Sequence, residues 1–213
     1  MFSGIIEALG EVARAERRGN GLRLAVRVPE RLRGLGPGAS VAVNGTCLTV
    51  VRSEGGLLEF DAVGATLGRT LLGEIRPGAR VNLERSLRWG APVDGHLVTG
   101  HVDGVGSVTA SREGEGAVYF EIRVPEALAG QIALRGSVAV DGVSLTVAEV
   151  RGTAFTVSVV PYTMRETSFG DYRPGSRVHL ETDVLAKYVE RALASKEGGR
   201  ALADLFPRSE RAT

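Results

Sequence analysis

The chain has one cysteine, Cys47, which excludes an internal disulfide and any cysteine-built metal site. Its 213 residues contain no run of about 18 uncharged apolar residues, so no helical membrane span is expected. No charged-then-apolar leader precedes Gly10, and the expected compartment is the cytoplasm. Neither sign of charge is in excess: Lys plus Arg is 26 against 25 acids, net +1. That balance leaves no general field to attract nucleic acid, and 5% aromatics leave no stacking platform for bases. Amides and lysines are scarce too, with Asn20, Asn44, Asn82 and Gln131 the only amides and Lys187 and Lys196 the only lysines. Scarce thermolabile residues fit a thermophilic source, while the preference for arginine fits codon usage equally well.

Glycine is abundant, 29 of 213 and about twice the usual ~7%, which favours many short strands joined by tight turns. At 43% hydrophobic and 24% charged the chain can bury a core. Its length corresponds to one large or two small domains. Internal repetition decides for two. Residues 41–50 read VAVNGTCLTV and residues 138–147 read VAVDGVSLTV, identical at seven of ten positions. Val28-Pro29-Glu30 recurs as Val124-Pro125-Glu126, and Arg76-Pro77-Gly78 as Arg173-Pro174-Gly175. Val81-Asn82-Leu83-Glu84 recurs as Val178-His179-Leu180-Glu181, and Gly4-Ile5-Ile6-Glu7 as Gly100-His101-Val102-Asp103. The register shifts by a single residue across the whole repeat, so the sequence reads as a duplicated domain, 1–96 and 97–184, followed by a segment 185–213.

Each half reads as β. Residues 22–28 alternate apolar with polar or small residues, and Asn44-Gly45 and Asp141-Gly142 are hairpin turn signals between apolar runs. Short helical turns are expected at 29–35, 66–72, 125–134 and 163–169. Five or six strands per half with frequent turns predict a small Greek-key barrel, because closure removes exposed edges. After Asp183, a candidate helix cap, Leu185, Val189, Ala192 and Leu193 recur at helical spacing. This helix has no counterpart after the first half and must cover its stripe with the barrels or with partner chains. The tail 198–213 is polar and expected to fray, although 201–206 could dock.

Duplication supplies an internal control, because positions that differ between the halves are candidates for chemistry. Cys47 corresponds to Ser144, Asn44 to Asp141, Ile5 to His101 and Asp61 to Ser158. Ser40 with Ser137, Thr49 with Thr146, Thr66 with Thr163, Thr70 with Thr167 and Glu84 with Glu181 are unchanged. Plainer readings exist: Cys47 as a small buried hydrophobe, His101 as a donor to a backbone carbonyl, Thr49 and Thr146 as strand formers. His96 and His101, five apart, lack a helical or strand register and a third ligand, so no metal site is read from them. The glycines around 95–106 form no GxGxxG, and no Ser-His-Asp order follows from spacing alone. What stands out is that the scarce Cys, His and Asn residues gather at the repeated motifs. On these grounds two polar-lined barrels, each binding a small polar aromatic or sugar-like molecule, are expected.

The opening Met1-Phe2-Ser3-Gly4-Ile5-Ile6, the two ten-residue motifs and the linker GHLVTGHVDG at 95–104 together resemble the riboflavin synthase family of alpha-chain type, over residues 1–195. The resemblance implies a mainly all-β chain: tandem duplicated six-stranded Greek-key β-barrels, both lumazine-binding, plus a C-terminal α-helix for oligomerisation. It implies dismutation of two 6,7-dimethyl-8-ribityllumazine molecules by four-carbon transfer, giving riboflavin and 5-amino-6-ribitylamino-pyrimidinedione, with no cofactor and no metal. It also implies a homotrimer in which pockets from different subunits meet, and in some members association with lumazine synthase. By motif position, Cys47, Leu48, Thr49, Asp61, Ala62, Val63, Gly64, Ala65 and Thr66 would line the N-barrel pocket, with Gly4, Ile5 and Ile6 closing it. Gly100, His101, Val102, Arg135, Ser144, Leu145, Thr146, Ser158, Val159, Val160, Pro161, Tyr162 and Thr163 would line the C-barrel pocket. Ser40, Cys47, His101 and Asp183 match positions the family associates with catalysis, His101 as proton shuttle and Cys47 as donor or transient nucleophile. Ala65 and Tyr162 depart from the family, which often has a more polar or acidic residue there.

A different class shares this architecture. Lumazine proteins and related fluorescent proteins bind the chromophore as antennae without catalysis. Ser144, Thr146, Thr163 and His101 all survive in the second half, and that favours the enzyme.

Overall fold

The computed structural model describes residues 1–194. The expectations for the tail, including docking of 201–206, lie outside the described residues. Two closed barrels of six antiparallel strands follow one another. The first holds β1 (Ala8–Arg18), β2 (Gly21–Arg27), β3 (Ser40–Val43), β4 (Thr46–Glu54), β5 (Leu57–Ala62) and β6 (Arg80–Arg85). The second holds β7 (Gly104–Gly114), β8 (Ala117–Arg123), β9 (Ser137–Val140), β10 (Val143–Arg151), β11 (Ala154–Val159) and β12 (Arg177–Thr182). Around the first barrel the order is β1-β2-β5-β4-β3-β6, and the second repeats it strand for strand.

The likeness extends to defects. The register slips in β1 between Val12 and Arg14 and in β7 between Val108 and Ala110. It slips again in β4 between Val50 and Arg52 and in β10 between Val147 and Glu149. Such bulges tighten the bend that closes a small barrel. Asn44-Gly45 (φ 45 and 75) and Asp141-Gly142 (φ 44 and 81) make the left-handed two-residue turns that the sequence signals, joining β3 to β4 and β9 to β10. The helical turns are shorter than expected: α1 (Gly64–Leu67), α2 (Glu126–Ala129) and α3 (Pro161–Glu166), with 3-10 turns at Glu30–Leu32, Leu71–Glu74 and Ser168–Asp171.

Strand alternation fills each lumen with apolar side chains. Leu24, Leu58, Phe60 and Leu83 pack the first, and Phe120, Ile122, Phe155 and Phe169 the second, all essentially without solvent contact. Burying each such side chain stabilises by about 1.5–3 kcal/mol. The expectation of polar-lined barrels is therefore corrected: the lumens are apolar, and the polar residues of the repeated motifs stand on the outer walls.

The barrels meet about a pseudo-twofold axis. A Cβ on Gly45 would lie 2.7 Å from the Gly142 nitrogen, so only glycine lets the two hairpin turns abut. Arg80 pairs with Asp171 (3.0 Å) and, symmetrically, Arg177 with Glu74 (2.7 Å). Inside the seam the equivalent residues Asn82 and His179 perform one task with different chemistry. Asn82 Nδ2 donates to Asp141 O (2.9 Å) while its Oδ1 accepts from the Ser168 N–H (2.8 Å). His179 Nε2 accepts from the Leu71 N–H (2.7 Å), so the hydrogen sits on Nδ1, which donates to Asn44 O (2.7 Å). On this side the buried Asp141 carboxylate also receives the His179 N–H (2.9 Å) and the Tyr172 hydroxyl, and burial pushes both acidic groups above their usual ranges.

Helix α4 (Val184–Ala194) begins where Asp183 Oδ1 accepts the Leu185 N–H (2.9 Å). Lys187 pairs with Asp103 (2.6 Å) and Glu190 accepts from Gln131 (2.6 Å). Leu185, Tyr188, Val189 and Leu193 stay exposed, leaving an apolar stripe uncovered on the single chain.

Candidate functional site: two clefts completed by crossing straps

The ten-residue motifs put their polar residues on one outer face. In β4, Leu48 and Val50 point into the core while Cys47 and Thr49 point out; in β10, Leu145 and Val147 point in while Ser144 and Thr146 point out. Pairing sets Ser40 beside Thr49 and Ala42 beside Cys47, and the second half repeats this with Ser137 beside Thr146 and Ala139 beside Ser144.

Two extended straps, the N-terminal segment and the linker around 98–102, lie over these faces. They bridge each other where the Phe2 N–H donates to Val98 O (2.7 Å) and the Val98 N–H donates to Phe2 O (3.1 Å). Each is held by a buried glutamate of its own repeat. Glu84 accepts from the Ser3 N–H (2.6 Å), the Ser3 hydroxyl (2.8 Å) and the Gly4 N–H (3.0 Å). Glu181 does the same with the Thr99 N–H (2.6 Å), the Thr99 hydroxyl (2.7 Å) and the Gly100 N–H (3.0 Å). Burial raises both carboxyls above their ordinary range, against the pull of these donors.

From those anchors each strap crosses to the other barrel. The Cys47 N–H donates to Gly100 O (2.9 Å) and the Ser144 N–H donates to Gly4 O (2.8 Å). A Cβ on Gly100 would stand 2.5 Å from Cys47 Cβ, and one on Gly4 2.6 Å from Ser144 Cβ; both glycines hold a positive φ, +82 and +77. This corrects the expected assignment of straps to pockets. Gly100, His101 and Val102 complete the N-barrel cleft, whereas Gly4, Ile5 and Ile6 belong with the C-barrel, where Ile6 packs on the second core.

The first cleft has a volume of ≈ 300 Å³ and joins Cys47, Ala65, Thr66, Arg69 and Thr70 of the N-barrel to His101 on the strap. The structure thus brings Cys47, Thr66 and His101 together. Cys47 also rests on the small cluster of Phe2, Ala42, Val98 and Ala139 beneath the straps. Thr70 fixes the short helix above it by donating to Thr66 O (2.8 Å), as Thr167 does to Thr163 O (2.7 Å).

At the second half-site the position of Cys47 is taken by Ser144, and here a residue outside the repeat alignment appears. His96 is buried, its Nδ1 lies 2.7 Å from Ser144 Oγ, and its backbone N–H donates to Ser3 O (3.0 Å). Burial holds the imidazole below its usual range, and the negative Asp183 carboxylate opposes that shift. Ser144 and His96 are therefore in contact, although no sequence spacing suggests it.

The other expected site residues fall into groups. The side chains of Leu48, Ala62, Leu145 and Val159 point into the barrel cores, so of these only backbone groups can face a ligand. Asp61 is exposed and bound to Arg23 (2.7 Å), which lowers its carboxyl below the ordinary range. Val63, Gly64, Val160, Pro161 and Tyr162 form exposed rims beside Thr66 and Thr163, and Ser158 is half-buried on β11. Arg135 adopts φ 62, a left-handed conformation that the equivalent Gly38 (φ 90) takes without strain. The sequence reading did not single out Arg69, and it weighed His96 only as a metal ligand.

Two outer-wall faces of one build but different polar groups, each crossed by the other repeat's strap, define a tandem small-ligand-binding barrel protein. The lumazine binding domain family matches this chain twice, over residues 3–86 and 99–183. The riboflavin synthase of Mycobacterium tuberculosis (strain ATCC 25618 / H37Rv) is 44% identical over 200 residues, spanning 92% of this chain and 99% of that protein. That of Bacillus subtilis (strain 168) is 36% identical over 193 residues, 91% of this chain and 90% of that protein. Among solved structures, LumP complexed with riboflavin superposes with a TM-score of 0.80 at 27% identity, covering 85% of this chain and 99% of that one. LumP complexed with 6,7-dimethyl-8-(1'-D-ribityl) lumazine gives a TM-score of 0.78 at 26% identity, with the same coverage. The chain belongs to the riboflavin synthase family, built from two lumazine-binding domains.

Proposed function

We propose that this enzyme converts two molecules of 6,7-dimethyl-8-ribityllumazine into riboflavin and 5-amino-6-ribitylamino-pyrimidinedione by moving a four-carbon unit from one to the other. The atoms of two lumazines equal those of the two products, so the transfer needs neither oxidant nor co-reactant. The observation that carries the reading is the pair of related but unequal strap-covered faces in a chain that aligns almost end to end with riboflavin synthases. A reaction between two identical molecules needs two similar sites that treat them differently. Holding both in reacting geometry offsets much of the entropy cost of a bimolecular step, up to ~7–11 kcal/mol in favourable systems.

The 7-methyl group of the lumazine is acidic because its carbanion delocalises into the pteridine, so the first need is a base. His101 stands exposed at the mouth of the first cleft and serves as proton shuttle, with the Cys47 thiol opposite it as donor or transient nucleophile. Thr66 and Arg69 supply further donors to the bound ring system. The chain acts as a cytoplasmic homotrimer in which the N-barrel cleft of one subunit faces the C-barrel cleft of another. The uncovered stripe of Leu185, Tyr188, Val189 and Leu193 on α4 supports this assembly, and Arg135, kept in a strained turn, supports a role for that side chain at the meeting sites.

Incubating the purified protein with the ribityllumazine alone tests the reading. One riboflavin and one pyrimidinedione should form for every two lumazines consumed. Tight binding of the lumazine with no riboflavin formed would transfer the chain to the antenna class instead.

A further inference from the structure

One buried titratable group at the second half-site has no part in the reaction outlined above. His96 lies in the linker, outside the aligned positions of the two repeats. Its ring Nδ1 touches Ser144 Oγ at 2.7 Å, and its Nε2 is buried with no hydrogen-bond partner among the described residues. A buried N–H without an acceptor is rarer and costlier than a buried lone pair without a donor. The neutral ring therefore carries its hydrogen on Nδ1 and donates it to Ser144 Oγ.

The consequence falls on the serine. With one lone pair of Oγ engaged by His96, the Ser144 hydroxyl hydrogen is not shared with the imidazole and is left for another acceptor. The backbone that carries the ring is held in place, because the His96 N–H is fixed to Ser3 O (3.0 Å) and the neighbouring Gly95 lies so close that a Cβ there would stand 2.9 Å from Ser144 Oγ. Asp183 is the charged group that acts on the ring, and it also caps α4. Cys47, at the matching place in the first cleft, has no such companion among the described residues.

We propose that His96 is a positioning residue: by donating to Ser144 Oγ it aims the serine hydroxyl at the ring system bound in the C-barrel cleft, making that cleft a hydrogen-bond donor where the other presents a thiol. The inference rests on the reading that this cleft holds one of the two reacting lumazines.

The test is a cycle of four proteins, wild type, His96→Ala, Ser144→Ala and the double variant, with His96→Asn as the conservative replacement. Turnover with the ribityllumazine and affinity for riboflavin, read by fluorescence quenching, are measured on each. His96→Ala should lower kcat by about tenfold to a hundredfold, as loss of one well-placed hydrogen bond does, with little change in KM. The double variant should be no slower than Ser144→Ala alone. Asparagine places an amide N–H near the ring Nδ1 position, so His96→Asn should recover most of the loss. Additive losses in the double variant, or wild-type kcat in His96→Ala, would overturn the proposal. If His96→Ala does not fold, His96→Gln, whose amide sits near Nε2 and leaves Oγ unbonded, replaces it in the cycle. A wild type that forms no riboflavin would remove the catalytic reading. The same cycle read in riboflavin affinity would still decide whether His96 acts through Ser144.

Discussion

The two half-sites share their strands, their short helices, their glutamate-anchored straps and the threonines Thr66/Thr163 and Thr70/Thr167, yet differ at the side chains with the most chemistry. The first offers Cys47, Arg69 and His101; the corresponding places in the second are Ser144, Glu166 and Ile5. An imidazole and a guanidinium thus share one cleft with a thiol. On the other an apolar strap faces a serine backed by a buried imidazole. Duplication kept the scaffold and freed the lining to diverge, as a reaction that must make one of two identical molecules the donor requires.

The sharpest way to break this comparison is to remove the proposed base, His101. His101→Ala should cut turnover by about 10²–10⁴-fold, the range of a lost general base, while Ile5→Ala at the equivalent place should cost far less. Equal losses from the two variants in steady-state assays would mean that the clefts do the same work. Cys47→Ser makes the two halves alike at that position and should fall between them.

Next comes the geometry of the straps. Gly100→Ala places a Cβ 2.5 Å from Cys47 Cβ at a positive φ, and thermal or denaturant unfolding should show a loss of about 2–3 kcal/mol. The damage to ligand binding should appear at the first cleft, whereas Gly4→Ala should damage the second. The opposite pattern would restore the assignment of straps that the sequence suggested.

A smaller effect of opposite sign is expected at Arg135. Replacing this left-handed residue with glycine, as at position 38, should stabilise the fold by about 1 kcal/mol while slowing the reaction. Unchanged stability would show that the turn is not strained.

The smallest effect is a pH dependence. Burial lowers the folded-state pKa of His96, so between that value and the unfolded pKa of about 6.5 the unfolded chain binds the proton and the folded chain does not. Stability should therefore fall as pH drops below about 6.5. His96→Asn should flatten that slope in unfolding curves measured from pH 7 to 5.

Much of the fold is legible in the sequence because local chemistry enforces it. Asn44-Gly45 and Asp141-Gly142 adopt the turns they signal, and residues 22–28 alternate as a barrel wall must. The duplication fixes the order of all twelve strands once six are understood. The site is less legible. Aligning the repeats shows that Gly4 and Gly100 are equivalent, but equivalence does not say which barrel each one touches, and the crossing is a tertiary fact. The symmetry argument also passes over His96, which has nothing to be compared with. It weighs His96 with His101 by their spacing, whereas the fold sends the two to different clefts. Apolar lumens escape the reading for a related reason: Leu48 and Leu145 lie beside polar residues in sequence but on the opposite face of their strands.

The crossing straps also bear on how the chain comes together during synthesis. The first barrel has all six of its strands once Arg85 has emerged from the ribosome, yet its cleft lacks a wall until Gly100–Val102 follows. The N-terminal strap waits longer still, because the partner for Gly4 is Ser144 in β10. Loop-closure entropy disfavours that contact until the second barrel has formed. Phe2, fully buried in the finished protein, must stay in solvent or in temporary company until Val98 has emerged, and its cover is completed only by Ala139. The first half-site can therefore be complete once the linker has emerged, whereas the second must wait for β10.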